Sequence, residues 1–379
     1  MTASIEPFRA MAISRLAHEL KAQGASIIHM EFGQPSTGAP KAAIALAHEI
    51  LDREPMGYWE SAPLKARIAR LYAEDHDVDV DPGRVVLTCG ASPALVLALS
   101  AAFAPGDRVV TARPGYVAYR NTLKALHIQP VEIGCGPAER YQMTAKILAE
   151  LEPAPQGVII ASPANPTGTV ILPQEMEAIA QVCRARGIRI VSDEIYHGLS
   201  YAGPAVSMLR FDPDAVVVNS FSKYYSMVAW RLGWVVAPEN LKDAIVARMT
   251  NLFLTPPSLS QHAAVVAMDS REELEGHVQV YRANRALMLE ALPALGLSSI
   301  APPDGAFYIW ADIGHLTSDS VAFCERLLRE TGVVTAPGVD FDPVEGGHFM
   351  RFSFAVSTAE VQEALRRLIP WFEAQDRIG

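Results

Sequence analysis

Cysteine is scarce in this sequence: four in 379 residues, Cys89, Cys135, Cys183 and Cys324, widely separated and with no C-x-x-C pair. That argues against a disulfide framework or a clustered zinc site, so no metal is expected, and it fits a reducing compartment. No apolar run approaches the roughly 20 residues of a membrane-spanning helix, and the N-terminal stretch carries Glu6 and Arg9 instead of an unbroken apolar core. A cytoplasmic protein that does not enter the membrane is expected. Basic charge is also in deficit, with 32 Lys and Arg against 42 Asp and Glu and a net charge of −10. Phosphate backbones need a concentrated basic surface, so nucleic-acid binding is disfavoured, and the short, non-basic N-terminus offers no DNA-binding segment. G-x-G-x-x-G, Walker and H-E-x-x-H patterns are missing, which leaves nicotinamide, nucleotide and zinc-protease chemistry without their signatures.

What is present is apolar: half of the residues are hydrophobic and a fifth charged, enough for a large core. From about residue 85 to 238, β-rich runs alternate with helical patterns. "RVVLTCG", "DRVVTARPGY", "QPVEIGC", "GVIIASPANP", "IRIVSDEIY", "AVVVNSFSK" and "GWVVAPEN" read as strands, and "SPALVLALSAAFA" and "QEMEAIAQVCRARG" as helices between them. Strands buried on both faces and separated by helices predict an α/β fold with a mostly parallel seven-stranded sheet between helices. Beyond it, "REELEGHVQVYRANRALMLEALPALG", "GAFYIWADI", "SVAFCERLLRETG", "VVTAPG", "HFMRFSFAV" and "TAEVQEALRRLIPWFE" predict a smaller α+β unit. The expected division is 1–34 as a segment packing with the small unit, 35–270 as the large domain and 271–379 as the small one.

In open α/β sheets ligands sit beyond the carboxyl ends of the strands. Those ends supply Gly90, Ala91 and Ser92; Tyr116; Asn165; Asp193 and Tyr196; and Ser220, Ser222 and Lys223. A lone lysine after a strand is an ordinary surface residue, but at a desolvated strand end its pKa falls and it becomes nucleophilic toward a carbonyl. Asp193 reads alone as a helix cap or as the partner of a buried cation. Asn165 precedes Pro166, which biases it toward extended or turn geometry. Gly90-Ala91-Ser92 leaves backbone N–H groups open to a phosphate where a strand turns into a helix. Arg231 and Arg351 either pair with surface carboxylates or offer a planar fork to a ligand's oxygens, and Arg351 alternates with apolar residues in a strand, facing either solvent or a site. Together these are the parts pyridoxal phosphate needs: a lysine, an acid for its ring nitrogen, donors for its phenolic oxygen and a phosphate cup. "SFSK" also fits the S-x-x-K pattern of serine acyl-transfer enzymes, with Ser220 as nucleophile, but neither K-T-G nor S-D-N accompanies it.

"ANPTG", "SDEIY", "SFSKYYSMVAWRLGW", "PPDGAFYIW" and "MRFSFA", in this order, closely resemble the class I/II aminotransferases, fold-type I pyridoxal phosphate enzymes of the aspartate aminotransferase kind. The resemblance runs from about Glu31 to Phe354. It implies a Schiff base between Lys223 and the cofactor, with the freed lysine amine then shuttling a proton at Cα. Asp193 would keep the ring nitrogen protonated, Asn165 and Tyr196 would bond the phenolic oxygen, and Tyr116 would stack on the ring. Ser220, Ser222 and Arg231, with the Gly90-Ala91-Ser92 turn, resemble the phosphate ligands. Arg351 matches the clamp on the substrate α-carboxylate, with the backbone near Gly33 closing over it. Tyr58 in "MGYWES" resembles a tyrosine that reaches the phosphate of a neighbouring subunit, implying a homodimer with shared sites. Three positions depart from the usual pattern: "YWESAPLKAR" is shorter and lacks a glycine, Ala229 stands for glycine and Val117 for proline. The implied reaction moves an amino group from an α-amino acid to a 2-oxo acid; a β-lyase, cyclase or synthase of the same fold would keep the same residues. Tyr58, Trp59 and Phe307 are candidate aromatics for the mouth of the site.

Overall fold

The computed structural model describes Ile5 and residues 7–375. Its strands are β1 (Ile28–His29), β2 (Val85–Thr88), β3 (Arg108–Arg113), β4 (Gln129–Gly134), β5 (Gly157–Ala161), β6 (Arg189–Asp193), β7 (Val216–Ser220), β8 (Gly233–Val236), β9 (Tyr308–Asp312), β10 (Val333–Val334), β11 (Ala336–Pro337) and β12 (Phe349–Ser353). Seven of them make one sheet in the order β2-β8-β7-β6-β5-β3-β4. These are the seven runs read as strands from the sequence. β8 alone runs against the rest, pairing antiparallel with both β2 and β7. The reversal matters for function: Arg231, which precedes β8, reaches the same edge as the residues that follow the parallel strands.

Apolar residues fill both faces of this sheet. Val86, Val191, Val218 and Val235 pack under the helices Ala91–Ala102 and Glu239–Leu252. Val85, Leu87, Val217, Trp234 and Val236 pack on the opposite face against the helices Ala62–His76 and Ser258–Asp269. Burial on both faces leaves the carboxyl edge as the place where polar side chains emerge.

A second sheet, β11-β12-β9, is antiparallel and places β12 in its centre, with Arg351 opposite Trp310 on β9 and Ala336 on β11. The helices Arg271–Ala291, Ser320–Thr331 and Thr358–Glu373 surround it. The N-terminal segment joins this part of the molecule. β1 pairs in parallel with β10, and Ile13 and Ala17 of the helix Arg9–Ala22 share a core with Leu327, Phe352 and Leu368. No helix among the described residues is long and apolar enough to cross a membrane.

Candidate active site

A cavity of about 370 Å³ opens where the carboxyl edge of the large sheet meets β12 and residues 32–34. That lies within the usual range of ligand pockets, roughly 300–1,000 Å³. Of the residues singled out from the sequence, Gly33, Ala91, Ser92, Tyr116, Asn165, Asp193, Tyr196, Ser222, Lys223, Arg231 and Arg351 line it. Gly90, Ser220 and Tyr58 do not.

Lys223 follows β7 by three residues and donates from Nζ to the Gly33 carbonyl at 2.6 Å. It keeps some exposure through the cavity mouth. Desolvation first, then the Arg351 and Arg231 guanidiniums, hold its ammonium down to about 8 against the pull of Asp193. With a pKa of about 8, roughly a tenth of the amine is free base at pH 7, far more than for an ordinary lysine, and the free base is what a nucleophile toward an aldehyde requires.

Asp193, the last residue of β6, is buried and accepts from the Tyr119 hydroxyl at 2.6 Å and from the Ile195 N–H at 3.1 Å. Burial raises its pKa, opposed by those two bonds and by Lys223. It is therefore not a solvent-facing helix cap. A buried carboxylate aimed into a cavity is ready for a cation, such as a protonated ring nitrogen.

Arg351 is 2% exposed, which settles the face left open by its strand pattern: it points inward. Nη1 donates to Asn165 Oδ1 at 2.6 Å and Nη2 to the Glu31 carbonyl, while Nε has no hydrogen-bond partner among the described residues. The guanidinium lies 4.4 Å from the centre of the Tyr308 ring and 4.5 Å from that of Phe341. A planar cation held between aromatic faces is ready for a carboxylate. Gly33 is required beside it, because a Cβ there would overlap the Tyr308 hydroxyl.

A candidate anion cup lies at the ends of two neighbouring strands, β2 and β8. Gly90 takes φ +101°, and a Cβ on it would sit 2.5 Å from Arg231 Nη2. Arg231 donates to the Val228 carbonyl at 3.0 Å and the Cys89 carbonyl at 3.4 Å. Gly90 thus makes room for the guanidinium from beneath instead of lining the cavity. Ser220 also stands behind the wall. Its hydroxyl donates to the Leu232 carbonyl at 3.0 Å, lies 2.9 Å from Ser222 Oγ and accepts from the Ser222 N–H at 3.0 Å. Committed in this way, Ser220 positions Ser222 and is not the free nucleophile that S-x-x-K demands. Tyr58 is 83% exposed. Of the other aromatics considered for the mouth, Trp59 stacks on His262 at 4.2 Å and Phe307 is fully buried in the core around β9.

The structure adds residues that sequence reasoning missed. Tyr119 stands three residues after Tyr116 in the first turn of the helix Val117–Ala125, the spacing that puts both on one face; that spacing was the available signal. Tyr308 lies inside "GAFYIW" and its hydroxyl is 2.7 Å from that of Tyr196. Phe8, Phe32, Gln34, Ile195 and Val228 are among the other lining residues, and nothing in their local sequence marks them.

The donor set fits pyridoxal phosphate: an amine of low pKa and a buried acid on one cavity, with a glycine-shaped anion cup and a separate carboxylate fork. The family model described as aminotransferase class I and II matches residues 26–368. The chain is 45% identical to the valine–pyruvate aminotransferase of Mycobacterium tuberculosis, covering 99% of this chain and 98% of that protein. It is 30% identical to an aspartate aminotransferase of Geobacillus stearothermophilus, with 98% of each covered. The crystal structure of an aminotransferase from M. tuberculosis superposes with a TM-score of 0.96 at 45% identity over 99% of both chains. Aspartate aminotransferase from Thermus thermophilus with maleate superposes at 0.91 and 29% identity over 97% of both.

Proposed function

The chain belongs to the class I and II aminotransferases, which use pyridoxal phosphate, and from that premise we propose that it exchanges the amino group of an α-amino acid with an uncharged aliphatic side chain for that of a small 2-oxo acid. When bound, pyridoxal phosphate supplies an aldehyde that takes up an amine and a ring that draws electrons from Cα. Lys223 anchors the cofactor and its freed amine carries the proton at Cα, a role supported by its position on the cavity and its low pKa. Asp193 holds the ring nitrogen protonated. Tyr196 and Asn165 donate to the phenolic oxygen; since Asn165 Oδ1 already accepts from Arg351, the amide's donor end is left for that bond. Tyr116 covers the ring face. Ser222, Arg231 and the Gly90-Ala91-Ser92 turn hold the phosphate, with Ser220 behind them. Arg351 clamps the substrate α-carboxylate.

The observation that carries the substrate class is the cation count in the cavity. Among the described residues lining it, only Lys223, Arg231 and Arg351 are cationic, and each has a role above. A second carboxylate on the substrate therefore finds no cationic partner left among the described residues that line the cavity. Phe8, Phe32, Ile195 and Val228 offer it apolar surface instead. The valine–pyruvate relative accords with this. We further place the enzyme in the cytoplasm as a homodimer with shared sites; four free cysteines, three of them buried, suit a reducing compartment.

The test is to offer single amino acids to the cofactor-loaded enzyme and follow its conversion to the aminated form and its return with pyruvate. Valine or another aliphatic amino acid should exceed aspartate in kcat/KM by roughly 100-fold, the scale of an unpartnered buried charge of about 3 kcal/mol. Aspartate with a dicarboxylic 2-oxo acid as the best pair would overturn the substrate class. Failure of borohydride to fix the cofactor to Lys223 would overturn its role as anchor.

A further inference from the structure

Behind Asp193 lies a group of buried titratable side chains to which the reaction assigns nothing. Glu194 is fully buried, and its Oε1 accepts three hydrogen bonds, from Ser192 Oγ at 3.1 Å, Ser207 Oγ at 3.0 Å and the Met208 N–H at 2.9 Å. Its other oxygen, Oε2, has no hydrogen-bond partner among the described residues and lies 3.5 Å from His197 Nδ1. His197 Nε2 is 3.1 Å from the Ser162 carbonyl, and His197 Nδ1 is 3.4 Å from His76 Nε2. A carbonyl only accepts, so His197 carries its proton on Nε2 and, when neutral, turns the Nδ1 lone pair toward Glu194 Oε2 and His76. Burial, with His76 beside it, keeps His197 neutral by pushing its pKa well below the usual value.

His76 Nε2–H donates to that Nδ1 lone pair over a long 3.4 Å, while Glu194 Oε2, 3.5 Å away on the same nitrogen, repels it unless Oε2 carries a proton of its own. With Oε1 held by three donors, Oε2 is where Glu194 would carry that proton. Burial raises its carboxyl to about 7, with Asp193 adding to the rise and the three donors opposing it. His76 and His197 line a second cavity of about 330 Å³. Asp75 and Glu74 stand at its rim; Asp75 is paired with Arg271 at 3.0 Å and Glu74 with Arg67 at 3.3 Å. Glu275 there accepts from Tyr224, and the Tyr72 ring lies against His76 with Tyr225 nearby. No group of three or more His, Cys, Asp or Glu among the described residues could hold a metal ion, so the cluster is read through its protons.

Both ends of the chain of contacts touch the active site. Glu194 adjoins Asp193 at the end of β6, and the Ser162 carbonyl stands three residues before Asn165 beyond β5. We propose that Glu194, His197 and His76 form a proton-operated clasp between the strand ends that carry Asp193 and Asn165, so that the contacts offered to the cofactor ring change when Glu194 Oε2 gains or loses its proton. With the proton in place, Oε2 donates to His197 and the clasp is closed. Without it, a carboxylate faces the imidazole lone pair beside Asp193 and the clasp loosens. Glu194 and His197 are positioning residues, and the inference rests on the reading that Asp193 and Asn165 meet the ring.

The test combines isotope-edited infrared spectroscopy of glutamate-labelled holoenzyme with its visible spectrum between pH 5.5 and 8.5. The expected result is a protonated-carboxyl band that fades with a midpoint near 7 and a visible shift of the bound cofactor with the same midpoint. Glu194→Gln, which keeps a donor toward His197, should abolish both the band and that spectral step. A glutamate band absent at pH 6, or one that titrates while the visible spectrum stays fixed, overturns the proposal. If Glu194→Gln does not fold, agreement or disagreement of the two wild-type midpoints decides. Failure of the underlying ring contacts is distinguished by Asp193→Asn: if it leaves the visible spectrum unchanged, that reading falls, while the infrared band still reports on Glu194.

Discussion

The property that suits Lys223 to its proposed role, a desolvated amine, is also costly to the fold. Its pKa is about 8 in the folded chain against an ordinary 10.5. Between those values the unfolded chain binds a proton that the folded chain does not, so stability rises with pH across the window; below about 8 the folded state bears the whole cost of a desolvated ammonium. Cofactor-free Lys223→Met should therefore be more stable than cofactor-free wild type at pH 7, by about 1–2 kcal/mol after the mouth's exposure and the lost bond to Gly33 are discounted. The gap should shrink as pH rises from 8 to 10.5. Thermal melts across that range check it, and a gap that widens would contradict the assigned desolvation. Tyr119 carries a second residue-scale expectation. Its hydroxyl bond to Asp193 is short, buried and made to a charged acceptor, a kind that contributes about 1.5–3 kcal/mol. Tyr119→Phe should lower kcat at least roughly tenfold while KM moves little, if Asp193 serves the chemistry and Arg351 the binding as proposed. A change confined to KM would place Tyr119 in substrate binding instead.

At the scale of elements, the meeting of β2 with the reversed β8 creates the proposed anion cup. Thr88 is registered with Gly233, which brings Gly90 under Arg231. Gly90→Ala would force a side chain into φ +101° and into the space of the guanidinium at once. The expected result is cofactor affinity weakened tenfold or more with secondary structure retained, read by titrating cofactor-free protein with pyridoxal phosphate; unchanged affinity would remove Arg231 from the cup. The same elements show what was legible beforehand. The seven strands of the large sheet could be read because each is a short apolar run bounded by turn residues. Their carboxyl ends then named Asp193, Asn165 and Lys223 without any pairing being known. The reversal of β8 leaves no local pattern, so the sequence left Arg231 open between a surface ion pair and a fork for a ligand's oxygens, and its assignment to the phosphate came from resemblance. β1 is two residues long, below the length at which alternation is visible, whereas β10 and β11 fall in "VVTAPG", which reads with "HFMRFSFAV" as a strand pair. Arg351 was placed in its strand, but whether it faced water or the site depended on β9 and β11 flanking it, and pairing is a tertiary fact. Tyr119 was overlooked because a tyrosine in a helix's first turn reads as packing until the acid above it is known.

For the whole molecule, the open question is what covers the surface around Tyr58. A tyrosine at 83% exposure sits there beside Leu252 at 62% and Leu254 at 52%. These residues are one neighbourhood because Gln261, itself fully buried, ties their segments together: it accepts from the Ser61 N–H and donates to the carbonyls of Trp59 and Pro256. That neighbourhood borders the anion cup, since Cys89 Sγ approaches the Thr255 carbonyl at 4.0 Å. An exposed aromatic and two leucines pinned beside a phosphate site are what a two-fold interface would bury, with each chain's Tyr58 offered across the axis to the other's cup. If so, activity belongs to the pair and complementation should be visible. Lys223→Ala homodimers lack the anchoring amine in both sites, and Tyr58→Ala homodimers lack the cross-subunit hydroxyl in both. In a hybrid of the two, the site that keeps Lys223 receives Tyr58 from its Lys223→Ala neighbour and is whole, while the other site carries both defects. After the two inactive or weakened variants are mixed, unfolded and refolded together, about half of the dimers are hybrids by chance pairing, each with one whole site of two. Activity should then rise to about a quarter of wild type, well above the mean of the parents. Recovery no greater than that mean would confine Tyr58 to its own chain.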